Sequence, residues 1–148
     1  MSKIEEKVEI VLTQWQVCVE MANSVSQRRD SMNNTFVTLN LAIVAAVSIT
    51  WNIKSLLILV AGIVICVIWL FFIGNYKLLN KEKFNVINTI ETELPVRPFN
   101  DEWDNLKHNG RYKDNTKLER ALPVTFVILY VIAIIFIVII GCRNQGGI

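Results

Sequence analysis

An apolar seam runs through the first fifty residues without a helix breaker, and it limits the possible folds more than any other feature of this chain. Ile4, Val8, Val11, Trp15, Cys18, Ala22, Val25, Arg29, Met32, Phe36 and Leu39 recur at alternating steps of four and three, the spacing of a heptad seam. Only Arg29 interrupts its apolar register. Neither Pro nor Gly occurs in residues 1–51. The seam therefore continues into the uncharged stretch 35–51, which reaches the short end of the bilayer-crossing range. A single helix over residues 4–51 would be about 70 Å long, far more than a small domain can bury, so such a rod needs partners.

Composition then separates membrane from water-soluble classes. Apolar residues make up 53% of the chain against 19% charged, and the apolar excess is concentrated in three uncharged runs, 35–51, 55–73 and 122–142. Each is near the ~20 residues a spanning helix requires. The expected class is an all-α membrane protein with three transmembrane helices. Because the start is charged and amphipathic, no cleaved leader is expected. Arg28 and Arg29 precede the first run, and nine Lys or Arg lie between the second and third. Basic loops stay in the cytoplasm, so the N-terminus and residues 74–121 are expected inside, and residues 52–54 and the tail 143–148 outside. A net charge of +2 gives no basis for a duplex nucleic acid partner.

Residues 1–34 are expected to form a cytosolic coiled-coil-like helix continuous with the first span. Only Asn52, Ile53 and Lys54 separate the first two spans, which makes 35–73 a tight transmembrane hairpin. Beyond it, Tyr76, Leu79, Lys83, Ile87, Ile90 and Leu94 keep a helical stripe, so the second helix should also extend into the cytosol until Pro95 and Pro98 stop it. Asn100 is placed to cap a short helix through Trp103 and Lys107. His108, Asn109 and Gly110 read as a turn, and Pro123 falls where the first turn of the third span would tolerate it. The two long helices are expected to assemble with other copies into a cytosolic helical barrel.

Little points to catalysis. The chain holds no glycine-rich phosphate loop, no HExxH and no GxSxG. Its one histidine, His108, sits in the expected turn. Three scattered cysteines support neither a metal site nor a disulfide framework, and Cys18 and Cys66 read as small packing residues. We therefore expect a non-enzymatic protein without cofactor.

The polar residues in and beside the first span are more informative. Asn33, Asn40 and Ser48 recur near whole helical turns, so Asn40 and Ser48 are expected on one face with Val44 between them. They would serve as interhelical contacts or as a pore wall. Ala42 with Ala46, and Gly62 with Cys66, are pairs four apart that favour close helix packing. The Ile- and Val-rich third span suits a lipid-facing position, and Trp51 and Trp69 suit interfacial anchoring. Arg28, Arg29, Tyr76, Lys77, Lys81 and Lys83 form a basic collar for anionic lipid headgroups or, alternatively, for a phosphate-rich ligand. Arg29, as the only charged seam position, calls for a carboxylate partner.

Two segments, 26–40 (SQRRDSMNNTFVTLN) and 76–95 (YKLLNKEKFNVINTIETELP) followed by 99–103 (FNDEW), resemble the RipA-type family of small octameric bacterial membrane proteins. Asn80, Lys83, Phe84, Glu91, Pro95, Phe99, Glu102 and Trp103 carry the likeness, which extends from about Glu20 to the third span. The resemblance implies a bacterial inner-membrane homo-octamer and supplies no catalytic site. Its function is expected to be that of a channel or pore regulated at its cytosolic helical bundle, in the setting of a defence or stress system. The alternative is a structural scaffold or assembly factor with no conductance. Besides itself, the expected partners are membrane lipids and a cytosolic regulatory protein or phosphate-rich ligand.

Overall fold

The computed structural model describes residues 3–49, 52–108 and 115–145, and all regular structure among them is α-helical. Four helices follow in order: α1 (Lys3–Ile49), α2 (Ser55–Glu91), α3 (Pro98–His108) and α4 (Asn115–Gln145). Three of them, α1, α2 and α4, are long and apolar enough to cross a membrane, and the apolar stretch of α1 is much the least hydropathic. The chain is a multi-pass membrane protein. Trp51 and the turn at Asn109 and Gly110 lie outside the described residues.

The chain divides into two units: the described residues of Met1–Arg29 with Asn75–Asp114, and those of Asp30–Gly74 with Asn115–Ile148. In the first, the inward residues of α1 are Trp15, Cys18, Ala22 and Val25, the last two buried. Opposite them, the inward line of α2 runs through Asn80, Phe84, Ile87 and Glu91, with Ile87 and Glu91 wholly enclosed. Of the expected stripe, Ile87 is on this line, Tyr76, Lys83, Ile90 and Leu94 are half-buried beside it, and Leu79 is exposed. A pattern that counts only apolar residues cannot choose Asn80 and Glu91 for the inside. The α2 helix ends at Glu91 in a tightened turn, where Thr92, Glu93 and Leu94 donate their N–H to the carbonyls of Thr89, Ile90 and Glu91.

The second unit holds the three apolar helices around a core of Val47, Leu59, Cys66, Tyr130 and Ile137. The α1–α2 connection is fixed by Asn52, whose carbonyl accepts the Ser55 N–H and whose side-chain oxygen accepts the Lys54 N–H, both at 2.9 Å. In this unit the heptad reading of α1 fails by one residue. Leu39 is exposed and Asn40 is the residue turned fully inward. A straight helix drifts by ~20° per heptad against a strict seven-residue repeat, and by this point the drift has handed the inward place to the next residue. Pro123 lies well inside α4, not in its first turn, because the helix begins at Asn115 among polar residues that sequence reading assigned to a connector. An interior proline forgoes one backbone hydrogen bond. Pro123 is itself fully buried.

Candidate functional site

Two polar centres organise the protomer, one in each unit. In the membrane-spanning unit it is Asn40, fully buried. Its Nδ2 donates to the Phe36 carbonyl one turn back at 2.8 Å. Its Oδ1 accepts from the Tyr130 hydroxyl at 2.7 Å and from the Cys66 thiol at 3.1 Å. The Tyr130 hydroxyl also lies 3.3 Å from the Asn40 carbonyl. One side chain therefore ties α1 to both α2 and α4, and its own donor and acceptor groups are satisfied inside the protomer, as an apolar surround demands. Gly62 makes this possible: a Cβ there would come within 2.7 Å of the Tyr130 ring.

Above Asn40 on the same side of α1, Asn33 accepts the indole N–H of Trp69 at 2.8 Å. Trp69 is buried and stacked on Phe36, with ring centroids 5.6 Å apart and planes at 6°. Phe126 lies against it and Tyr130 against Phe126. Trp69 is therefore a core residue and not an interfacial anchor, since an enclosed indole needs the acceptor that Asn33 supplies. Cys66 likewise does more than fill space. Ser48 does not share the face of Asn40: it is exposed and donates to its own helix at the Val44 carbonyl, 2.8 Å. Eight residues carry a helix about 80° beyond two full turns, which separates the two.

The outward face of α1 is of another kind. Ser31, Asn34, Thr35, Thr38, Leu39 and Ala42 line an open groove. The Thr35 and Thr38 hydroxyls donate to the carbonyls of Ser31 and Asn34, each at 2.9 Å. Their protons are thereby directed along the helix, and only oxygen lone pairs are left to face outward. Between residues 56 and 73, α2 exposes only apolar side chains, and between 122 and 141 α4 exposes one hydroxyl, Thr125. Sequence reading singled out Asn40 and passed over this face, because an isolated Thr in a span carries no signal. Only the burial of Asn40 shows which side of α1 remains open. Ala42 and Ala46 are exposed too.

In the other unit the centre is Glu91, with no exposed surface. Its carboxylate accepts the Trp15 indole N–H at 3.2 Å and the backbone N–H groups of Phe99 and Asn100 at 3.1 and 3.2 Å. The last two are free first-turn amides of α3, where a negative charge is favoured. The expected cap at Asn100 is thus replaced. Pro98 takes the first helical position, Asp101 donates to the Arg97 carbonyl at 2.9 Å, and Glu91 on α2 does the capping. Phe99 is held between Trp15 and Phe84, centroids 5.8 and 5.6 Å away. Of the motif residues, Phe84, Glu91 and Phe99 meet here. Trp103 is half exposed under Lys107, and Pro95 and Glu102 lie outside the contact. The side-chain oxygens of Asn80 and Asn88 are enclosed without a hydrogen-bond partner.

The collar residues Arg28, Arg29, Tyr76, Lys77, Lys81 and Lys83 all fall in this unit. Lys81 is exposed, while Lys83 lines a small groove with Cys18, Met21, Glu82 and Val86. Two residues apart on a helix means about 200° of rotation, so Lys81 and Lys83 do not converge on one anion. No cluster of three His, Cys, Asp or Glu able to hold a metal occurs among the described residues. The model of the octameric membrane protein family matches residues 12–140. The shared region thus begins well before Glu20. No curated protein and no solved structure matches the chain.

Proposed function

Because the chain belongs to the octameric membrane protein family, a homo-oligomeric membrane protein, we propose that it is a non-enzymatic channel whose aqueous path is lined by the outward face of α1. The observation that carries this reading is the open, uncharged polar groove of Ser31, Asn34, Thr35, Thr38 and Ala42. It belongs to the one spanning helix whose outer side is unsuited to lipid. Repeated around a ring, that face places hydroxyl oxygens toward the axis with their protons already donated to backbone carbonyls. The Thr35 and Thr38 oxygens favour a small cation as the permeant species, although the Asn34 carboxamide in the same lining offers donors as well as an acceptor. The ring sits in a bacterial inner membrane with its N-terminus and the Glu91 unit in the cytoplasm, as the basic residues on those segments favour. That unit forms the regulated helical barrel, and the setting is a defence or stress response.

Reconstitution into planar bilayers tests the reading. The octamer should conduct, with a reversal potential in a KCl gradient set by K⁺, and Thr38→Cys should make the current sensitive to a positively charged, water-soluble thiol reagent that leaves the parent chain unaffected. An intact octamer without current, and with residue 38 unreactive, would leave the rival reading of a structural membrane scaffold. In favour of that rival, Asn40, the most polar group of the three spans, is used up inside the protomer.

A further inference from the structure

We propose that a second copy of this chain docks on one flank of the Glu91 unit, and that Lys83 on this flank pairs with Glu20 of the neighbouring copy. The flank consists of Ile10, Val17 and Met21 on α1 with Leu79 and Val86 on α2, each 45–53% exposed. The two helices are joined along it by the groove of Cys18, Met21, Glu82, Lys83 and Val86. Five large apolar side chains left half open on one flank require a cover.

Lipid tails are not that cover. The flank lies on helix segments carrying Glu5, Glu6, Lys7, Glu9, Glu20, Lys77, Lys81 and Glu82 within a few residues, a density of charge no hydrocarbon layer accepts. The family's octameric assembly supplies another copy instead. In a ring each subunit meets its two neighbours through different patches, so the flank must face something other than itself. The other shoulder of α1 carries Glu9, Leu12, Gln16 and Glu20, all exposed. At ~100° per residue its mean direction stands about 115° from that of Ile10, Val17 and Met21, near the about 135° between neighbours in an eight-membered ring. It is also complementary in charge, two carboxylates around Leu12 against Lys83 and Arg28. Glu82, beside Lys83, accepts from the Asn85 amide at 3.2 Å, and Lys83, which lines the groove itself, is the cation placed to meet the neighbour's Glu20. This inference rests on the assembly alone and survives if the ring conducts nothing.

The test is charge reversal read as oligomer mass in mild detergent. Lys83→Glu and Glu20→Lys should each lose the octamer at concentrations where the parent keeps it, and the double variant should regain it. A parallel measurement uses Val17→Cys with Cys18→Ser: maleimide labelling of residue 17 should be suppressed in the octamer and restored in the dissociated Lys83→Glu form. Octamers unaffected by both reversals, failure of the double variant to recover with each single variant still helical, or free labelling of residue 17 in the octamer would overturn the docking. Protection of residue 17 in vesicles but not in the detergent octamer would assign the flank to lipid and equally overturn it. Conductance is not read in this experiment, so its failure is separable from failure of the channel.

Discussion

Replacing Gly62 by alanine should destabilise the membrane-spanning unit, although alanine is the better helix former. The added Cβ would stand 2.7 Å from Tyr130 Cε2, 2.9 Å from Cζ and 3.2 Å from Cδ2. Carbon contacts are favourable only from ~3.5 Å outward, so the ring or its helix must retreat by about 0.8 Å. The ring is not free to do so. Its hydroxyl is 2.7 Å from Asn40 Oδ1, and Phe126 packs beside it. A retreat of that size brings the hydrogen bond to the edge of its range. Overpacking a filled core costs ~1–3 kcal/mol, a lost interhelical hydrogen bond averages ~0.6 kcal/mol, and the gain in helix propensity returns about 1 kcal/mol. The expected net loss is about 1–2 kcal/mol. It should be read from SDS-induced unfolding of the detergent-solubilised protein at one fixed concentration, because assembly makes stability concentration-dependent. Tyr130→Leu removes the obstructing ring atoms, so in that background Gly62→Ala should become neutral or stabilising. The two changes should therefore couple by at least ~1 kcal/mol in a double-mutant cycle. Additive effects, or a stabilising Gly62→Ala in the parent, would refute the claim that Gly62 is there to admit Tyr130.

Two further substitutions probe the polar centres. Glu91→Ala leaves the Trp15 indole and the Phe99 and Asn100 amides without their acceptor, and at ~1–3 kcal/mol for a buried group left unsatisfied the loss should be about 3 kcal/mol and centred on α3. Hydrogen exchange should speed up over residues 98–108, and unchanged protection there would show that α3 is held by Phe99 alone. Asn33→Ala strands the Trp69 N–H in an apolar stack and should cost ~1–2 kcal/mol in the same SDS titration. Asn33→Asp is no rescue in an apolar surround, whereas Asn33→Gln should recover part of the loss if its longer amide reaches the indole.

How far the sequence could be read depended on whether apolar character alone decided a residue's side. The four-three steps of α1 located Trp15, Ala22 and Val25 on the inward side, and the three uncharged runs located the three long apolar helices. Proline at 95 and 98 explained where α2 had to stop. What escaped were places where a polar residue won the interior against apolar competitors. Asn40 displaced Leu39, a substitution of neighbours that a seam counted in sevens cannot detect. Glu91 displaced Ile90 and Leu94, because the free amides of α3 stabilise a carboxylate that no local pattern associates with them. Tyr130 drew no notice in a helix that reads as uniformly lipid-facing, and its role depends on Gly62 and Asn40, which lie 68 and 90 positions away. Such partners become visible only once the chain is folded.

The two centres share a logic that bears on where this protein can change shape. Each is a single buried polar side chain that accepts from two other elements: Asn40 from α2 and α4, Glu91 from α1 and the start of α3. Buried polar groups of this kind add little net stability, since their desolvation offsets most of the bond energy. They do penalise alternatives, because sliding any partner helix by one residue leaves a donor or acceptor unmatched in an apolar surround. The helix register within each unit is therefore bistable only at the cost of several unsatisfied groups. No comparable constraint acts on the outward groove of α1, which we propose lines an aqueous path, or on the Ile10, Val17 and Met21 flank, which we propose meets another copy. A conformational switch in this octamer should accordingly rearrange contacts between subunits and leave the Asn40 and Glu91 hydrogen bonds intact. For the proposed channel, hydrogen exchange on conducting and non-conducting preparations would show this as changes along the exposed faces of α1. A change centred on residues 98–108 would instead place the switch inside the protomer.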